Sequence, residues 1–139
     1  MNYRLSIYAD RVNKKNGYVL LCNGSVISSK VVRFHGDNIK ENALSILHTA
    51  LLASRTVVSH DDVITIEVQN PHLYNWLDGL VDYDGYDDYL DKVFDVLEMI
   101  DCRYKFYFTK TPFAKGYIKS RDFSREKLSS VEDMMADFV

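Results

Sequence analysis

The fold is decided by a short stretch near the N-terminus, Tyr18-Val-Leu-Leu-Cys-Asn-Gly24. Its apolar run is typical of a buried strand, and Asn23-Gly24 is the strongest short signal for a β-hairpin, because both turn positions need a positive φ. Val26 to Phe34 is therefore predicted as a strand antiparallel to it. Upstream, Arg4 to Asp10 alternates apolar and polar residues, which predicts another strand, and the turn residues Asn13 to Gly17 connect the two. The chain thus opens with a three-stranded meander.

Helix and strand signals alternate along the rest of the chain. Asn38 is a good helix N-cap, and Glu41 three positions later completes the capping-box spacing. Apolar residues from Ala43 to Leu51 recur at helical spacing, which predicts a first long helix. The elements predicted after it are, in chain order, a strand at Val63 to Val68, a short helix from Pro71, a helix with an apolar stripe from Leu90 to Ile100, a strand at Tyr104 to Phe108, a basic loop, and a C-terminal helix carrying Val131, Met134, Met135 and Phe138.

The predicted order is β-β-β-α-β-α-β-α, which belongs to the α/β class. Hairpins make the first strands antiparallel, whereas the strand–helix–strand connections are expected to be right-handed and parallel. The result is a mixed five-stranded sheet with helices packed on it. The length of 139 residues suits a single domain, residues 1–139, with a peripheral helix in the segment 120–139.

Composition argues against several classes of protein. The hydrophobic content of 47% is ordinary for a globular chain, and no apolar run approaches the ~20 residues of a membrane span. Cys22 and Cys102 do not make a disulfide framework, so a reducing compartment such as the cytoplasm is expected. The four histidines lack zinc-ligand spacing, and the acidic stretch Asp82 to Asp88 departs from the EF-hand template. The sequence therefore predicts no membrane association and no resident metal or cofactor.

Charge is unevenly distributed, although the net charge is only −3. Between Asp78 and Asp101 nine acidic residues stand against one lysine, a net charge of −8. Between Arg103 and Lys127 eight basic residues stand against two acidic ones, a net charge of +6. Such segregation is typical of solvated faces, of nucleic-acid binding and of charged protein partners, and the sequence leaves all three open.

Several local motifs agree with a known family in their order and spacing. Ile7-Tyr-Ala-Asp10 ends the first strand in an aspartate, and Asn16-Gly-Tyr18 opens the second strand. Asn38 to Leu51 has the pattern of an asparagine-rich turn and a helix ending in Ala-Leu, and Ile64-Thr-Ile66 begins the fourth strand. Together these residues resemble the ribonuclease H family over roughly the whole chain. The resemblance implies a ribonuclease-H-like sheet and a chemistry in which two Mg²⁺ ions activate water at a phosphodiester.

The same resemblance implies about four carboxylates that hold the metal ions. Asp10 matches the first of them. The helix glutamate of the family falls near Ala43, and the fourth-strand Asp-Ser pair corresponds to Gln69-Asn70, so both of these acids are missing. Most of the family's ligand set is therefore absent from this sequence.

Other carboxylates are candidates for a rearranged set. Glu67 shares a strand face with the missing fourth-strand acid and sits ~6.5 Å back along the strand. Glu41 lies two positions before the missing helix glutamate, and its capping box already explains it. Asp133 and Asp137 are the candidates for the last helix, and Asp137 lies in a pattern similar to the family's Ala-Asp.

We therefore expect a non-catalytic ribonuclease-H-like domain that works by binding. The alternative is a metal-dependent ribonuclease H-type nuclease, with Mg²⁺ as its cofactor, that uses Asp10, Glu67 or Glu41, and Asp137 or Asp133. A third interpretation is a structural subunit of a larger assembly. The oligomeric state is left open by the sequence.

The predicted binding surface follows the fifth strand, where aromatic and basic residues alternate. Aromatic rings stack on bases while lysines hold phosphates, although an amphipathic strand with solvated lysines gives the same pattern. Because the whole chain is acidic, a protein partner is favoured over nucleic acid. The candidate binding residues are Lys110, Phe113, Lys115, Tyr117, Lys119 and Arg121.

Overall fold

The computed structural model describes residues 1–79 and 86–124. The elements in this part of the chain are β1 (Asn2–Asp10), β2 (Lys15–Cys22), β3 (Ser25–Arg33), α1 (Ile39–Ser54), β4 (Val63–Val68), α2 (Pro71–Leu77), α3 (Asp87–Ile100), β5 (Arg103–Phe108) and α4 (Phe113–Lys119). The strands form one mixed sheet in the order β3-β2-β1-β4-β5.

The strand directions agree with the sequence-based prediction. β1, β2 and β3 form an antiparallel meander, and β4 lies beside β1 and parallel to it. β5 then pairs in parallel with β4. Asn23 and Gly24 have φ values of 52° and 79°, which confirms the predicted hairpin turn. The mixed five-stranded sheet is therefore confirmed.

The larger core lies on the face of the sheet that is covered by α1, α2 and α3. α1 begins at Asn38, whose side-chain oxygen accepts hydrogen bonds from the backbone N–H groups of Lys40 and Glu41 at 3.0 and 3.2 Å. Its apolar stripe packs on alternate residues of β1, such as Leu5 and Ile7, which are almost fully buried. The odd-numbered residues of β1 therefore face α1.

The opposite face of the sheet is covered by α4, which packs on β1 and β2. Ala114 and Ile118 are fully buried against Tyr8 and Val19, and their spacing of four residues places them on one side of the helix. The prediction of a basic loop after β5 is therefore wrong for Phe113–Lys119. Burial of Ala114 and Ile118 on one side makes this segment an amphipathic helix.

Two predicted features lie outside the described residues. They are the centre of the acidic loop and the C-terminal helix, the latter with Asp133 and Asp137. Among the helices of the described segments, none is long and apolar enough to cross a membrane.

Candidate functional site

Three charged residues lie in a row across the sheet on the face that α4 covers. Asp10 is the last residue of β1 and pairs with Lys15 of β2, which in turn pairs with Arg33 of β3. Paired residues on neighbouring strands share a face, so the three side chains project on the same side. The aspartate that matches the family motif therefore has cations, not acids, as its neighbours along the sheet.

Asp10 is buried, with 4% of its surface exposed, and its carboxylate closes the turn between β1 and β2. Oδ1 accepts hydrogen bonds from the backbone N–H groups of Val12 and Asn13 at 3.1 and 3.3 Å. Oδ2 accepts one from Asn13 Nδ2 at 2.7 Å. Burial alone would raise the pKa of Asp10, but these hydrogen bonds and the positive charge of Lys119 outweigh it and hold the pKa below its usual value. Both carboxylate oxygens of Asp10 thus accept hydrogen bonds that stabilise the turn between β1 and β2.

Glu67 is also buried and is also engaged on both oxygens. It lies on β4 beside Ser6 of β1 and faces α4. Oε1 accepts a hydrogen bond from the backbone N–H of Phe113 at 3.2 Å, and Oε2 forms an ion pair with Arg4 Nη2 at 2.8 Å. Ser6 Oγ accepts the next N–H, that of Ala114, at 2.9 Å. Glu67 and Ser6 therefore satisfy the first N–H groups of α4, which have no partner within the helix.

Within residues 1–79 and 86–124, the other positions that the resemblance pointed to carry no acid that points into a site shared with Asp10. Ala43 is buried in the larger core, and Glu41 is exposed near the start of α1. Gln69 Nε2 donates to the carbonyl oxygen of Lys110 at 3.3 Å. Asn70 Oδ1 accepts from the backbone N–H of Leu73 at 3.3 Å, near the start of α2. These side chains order loops and a helix end.

The described carboxylates do not fit a two-metal centre. Asp10 lies four residues beyond Ser6, the partner of Glu67, so the two acids are roughly 13 Å apart along the sheet at the usual rise of a strand. Metal ions in two-metal sites lie ~4 Å apart and share ligands. Within residues 1–79 and 86–124, no three His, Cys, Asp or Glu side chains come together to hold an ion.

Near Asp10, several basic side chains lie over aromatic rings. Arg33 Cζ is 4.2 Å from the ring centroid of Phe123, and Arg121 Cζ is 3.8 Å from that of Tyr117. Lys119 Nζ is 5.8 Å from the ring centroid of Tyr8. We call the surface formed by Lys15, Arg33, Lys119 and Arg121, with the rings of Tyr117 and Phe123, the cationic surface.

Lys15 contacts both Arg121 and Phe123 of the cationic surface. Its Nζ donates a hydrogen bond to the carbonyl oxygen of Arg121 at 2.7 Å and lies 5.7 Å from the ring centroid of Phe123. Sequence reasoning missed Lys15, Arg33 and Phe123, because their proximity depends on strand register and not on distance along the chain. The sequence places Lys15 and Arg33 on the two arms of one hairpin, but it does not show that they share a face of the sheet.

The six predicted binding residues are distributed over more than one surface. Phe113 and Tyr117 form one flank of α4, with ring centroids 6.1 Å apart, and Lys115 and Lys119 are placed on another flank by their four-residue spacing. Lys110 lies before α4, next to Gln69. Of the six, Tyr117, Lys119 and Arg121 belong to the cationic surface.

The strand order, the directions and the helix on each face define a ribonuclease H-like fold. No protein-family model matches the chain, and no curated protein matches it in sequence. Solved structures match it over most of its length. Ribonuclease H1 from the halophilic archaeon Halobacterium salinarum superposes with a TM-score of 0.66 at 16% identity, covering 84% of this chain and 90% of that one.

Two further solved structures are similar. LC11 ribonuclease H1, in complex with an RNA/DNA hybrid, has a TM-score of 0.58 at 11% identity over 78% of this chain and 83% of that chain. The N-terminal ribonuclease H domain of a Mycobacterium tuberculosis protein has a TM-score of 0.60 at 9% identity over 78% and 87%. At these identities the similarity shows the fold.

Proposed function

We propose that this domain is a non-catalytic ribonuclease H-like module that binds nucleic acid through its cationic surface. The observation that carries the proposal is the row Asp10, Lys15 and Arg33, in which two cations follow, on one side, a carboxylate that already accepts the hydrogen bonds of a turn. Lys119 and Arg121 add positive charge beside it. Such an arrangement repels metal ions and attracts phosphates.

The state of the carboxylates supports the non-catalytic part of the proposal. A catalytic carboxylate must turn an oxygen lone pair toward the metal, whereas all four oxygens of Asp10 and Glu67 already accept hydrogen bonds or form an ion pair within the fold. Freeing Glu67 would leave Arg4 and the start of α4 without their partner. The nuclease alternative would therefore require part of the fold to rearrange.

The distribution of charge supports nucleic acid as the ligand. The acidic residues of α3, including Asp91, Asp95 and Glu98, are exposed, but α3 packs on the face of the sheet opposite to α4. Their field is thus separated from the cationic surface by the sheet. The similar LC11 enzyme was solved with an RNA/DNA hybrid, which is consistent with a nucleic-acid ligand for this fold. The preference for a protein partner stays a prediction, and the acidic face of α3 is the surface that it would use.

Binding of labelled RNA, DNA and RNA/DNA hybrid, followed by fluorescence anisotropy at low salt, tests the proposal. Arg33→Glu and Lys119→Glu each reverse one charge of the cationic surface, and we expect each to weaken binding by about tenfold. Lys92→Glu is the matched control, because it makes the same charge change at an exposed residue of α3, away from the cationic surface. No binding by the wild type, or equal effects of all three variants, would refute the proposal.

A further inference from the structure

The aromatic rings of the cationic surface have guanidinium groups over their faces. Arg33 Cζ and Arg121 Cζ lie 4.2 and 3.8 Å from the ring centroids of Phe123 and Tyr117, which are distances of direct cation–π stacking. A nucleobase that stacked on the face covered by the guanidinium would have to displace the arginine. The two rings are therefore engaged with arginines in the folded domain.

Hydrogen bonds to β3 hold Tyr117 and the chain beside Phe123. The hydroxyl group of Tyr117 is hydrogen-bonded to Ser29 Oγ at 3.1 Å. Next to Phe123, the backbone N–H of Ser124 donates to the carbonyl oxygen of Val31, and the N–H of Val31 donates to Ser124 Oγ, both at 2.9 Å. The Tyr117 ring is thus held against β3 by its own hydroxyl group, and the backbone beside Phe123 is held there by Ser124.

A stacked guanidinium group keeps its N–H edge free. Its planar fork matches the oxygens of a phosphate in a bidentate geometry, and stacking reduces the entropy that the side chain loses on binding. A duplex presents phosphates on its outside and keeps its bases stacked inside, whereas a single strand offers bases that need open ring faces. The geometry of the cationic surface fits the duplex.

We propose that Tyr117 and Phe123 are positioning residues, which hold Arg121 and Arg33 for the phosphates of a nucleic-acid duplex and do not stack on bases. This inference rests on the proposed function. It predicts that a short duplex binds at least about tenfold more tightly than either of its separated strands, because the phosphate contacts supply the affinity. It also predicts that two duplexes of unrelated sequence bind with the same affinity.

Variants that keep the charge isolate the role of the rings. Phe123→Leu and Tyr117→Leu remove the stacking surface, and we expect each to weaken duplex binding several-fold. The slope of log affinity against log salt should stay unchanged, because the number of cations is unchanged. Arg33→Ala should instead make that slope shallower by about 0.9. Phe123→Trp keeps a ring for the cation, so its affinity should stay at the wild-type level. Thermal unfolding of each variant shows whether it is folded.

The outcomes separate this inference from the proposed function. A single strand that binds as tightly as the duplex, or leucine variants that lose single-strand binding alone, would show base stacking and overturn the inference, while nucleic-acid binding stands. Failure of the wild type to bind duplexes and single strands would overturn the proposed function itself, and the inference with it.

Discussion

Glu67 on β4 accepts the backbone N–H of Phe113, the first residue of α4, at 3.2 Å through Oε1. The carboxylate that sequence reasoning offered as a displaced metal ligand is thus a helix cap, and its other oxygen pairs with Arg4. A carboxylate at a helix N-terminus also interacts favourably with the helix dipole. The position of α4 on the sheet therefore depends on this residue.

Glu67→Ala should destabilise the domain by about 2 kcal/mol, because it removes the acceptor of the half-buried N–H of Phe113 and frees Arg4 from its ion pair. Glu67→Gln retains an acceptor and should cost less. Urea unfolding measures both free energies.

Glu41→Ala is the matched control, since Glu41 is an exposed glutamate in the first turn of α1. We expect a change within about 0.5 kcal/mol for this variant. Equal unfolding midpoints for Glu67→Ala and the wild type would show that Glu67 does not hold α4 in place.

Gly17→Ala should destabilise the packing of α4 on β2. A Cβ atom at residue 17 would overlap Ile118 Cδ1 and lie 2.5 Å from the carbonyl oxygen of Lys30. The side chain of Ile118 can turn away, but the backbone of β3 cannot easily move, so we expect a loss of about 1–3 kcal/mol in the free energy of unfolding.

Gly116→Ala is the control on α4 itself, because a Cβ there meets no atom within 4 Å. Alanine is the better helix former, and this variant should gain up to about 1 kcal/mol. A neutral Gly17→Ala would mean that α4 does not sit as close to β2 as described.

The sheet could be predicted from the sequence because its signals are local. Asn23-Gly24 sets the hairpin, and the alternation in β1 sets its two faces. The exact register of β2 and β3 could not be predicted, because a shift between Leu20 and Leu21 makes Lys15 pair with Arg33 and not with Val32. One residue of register reverses the faces, so the row of charges beside Asp10 was not visible in the sequence.

The candidate site was predicted only in part, for a similar reason. That Ala43 and Gln69 stand where the family has acids is implied by the resemblance, and it stays a prediction. The helical state of α4 depends on two buried residues, Ala114 and Ile118, within a short and highly basic segment, and its burial comes from contacts with distant strands. Tertiary packing, not local propensity, decides such a short helix.

Asp10→Asn tests the turn role of Asp10 through pH. The folded pKa of Asp10 is lowered, so its contribution to stability is complete above the unfolded value of ~3.9 and is lost as pH falls through the lower folded pKa. We expect Asp10→Asn to be less stable than the wild type at pH 7 by about 1–2 kcal/mol, with the difference shrinking as the pH falls below about 4. Urea unfolding at several pH values measures it.

The comparison for Asp10 is Asp91→Asn, which changes an exposed carboxylate on α3. Its difference from the wild type should stay small over the same pH range. A gap between Asp10→Asn and the wild type that does not change with pH would show that ionisation of Asp10 does not support the turn.

The last prediction concerns catalysis. Two-metal cleavage needs several carboxylates gathered around one phosphate, whereas Asp10 and Glu67 are roughly 13 Å apart along the sheet and each is engaged within the fold. We therefore expect no cleavage of a labelled RNA/DNA hybrid above the no-protein background in Mg²⁺ or Mn²⁺, under conditions where the hybrid is bound. Cleavage by the wild type that disappears in an Asp10→Asn variant shown by urea unfolding to be folded would establish the nuclease alternative, since the substitution removes the charge of Asp10 and its Oδ2 acceptor. Cleavage that survives Asp10→Asn would also contradict the expected absence of cleavage, and it would show that the reaction does not use Asp10.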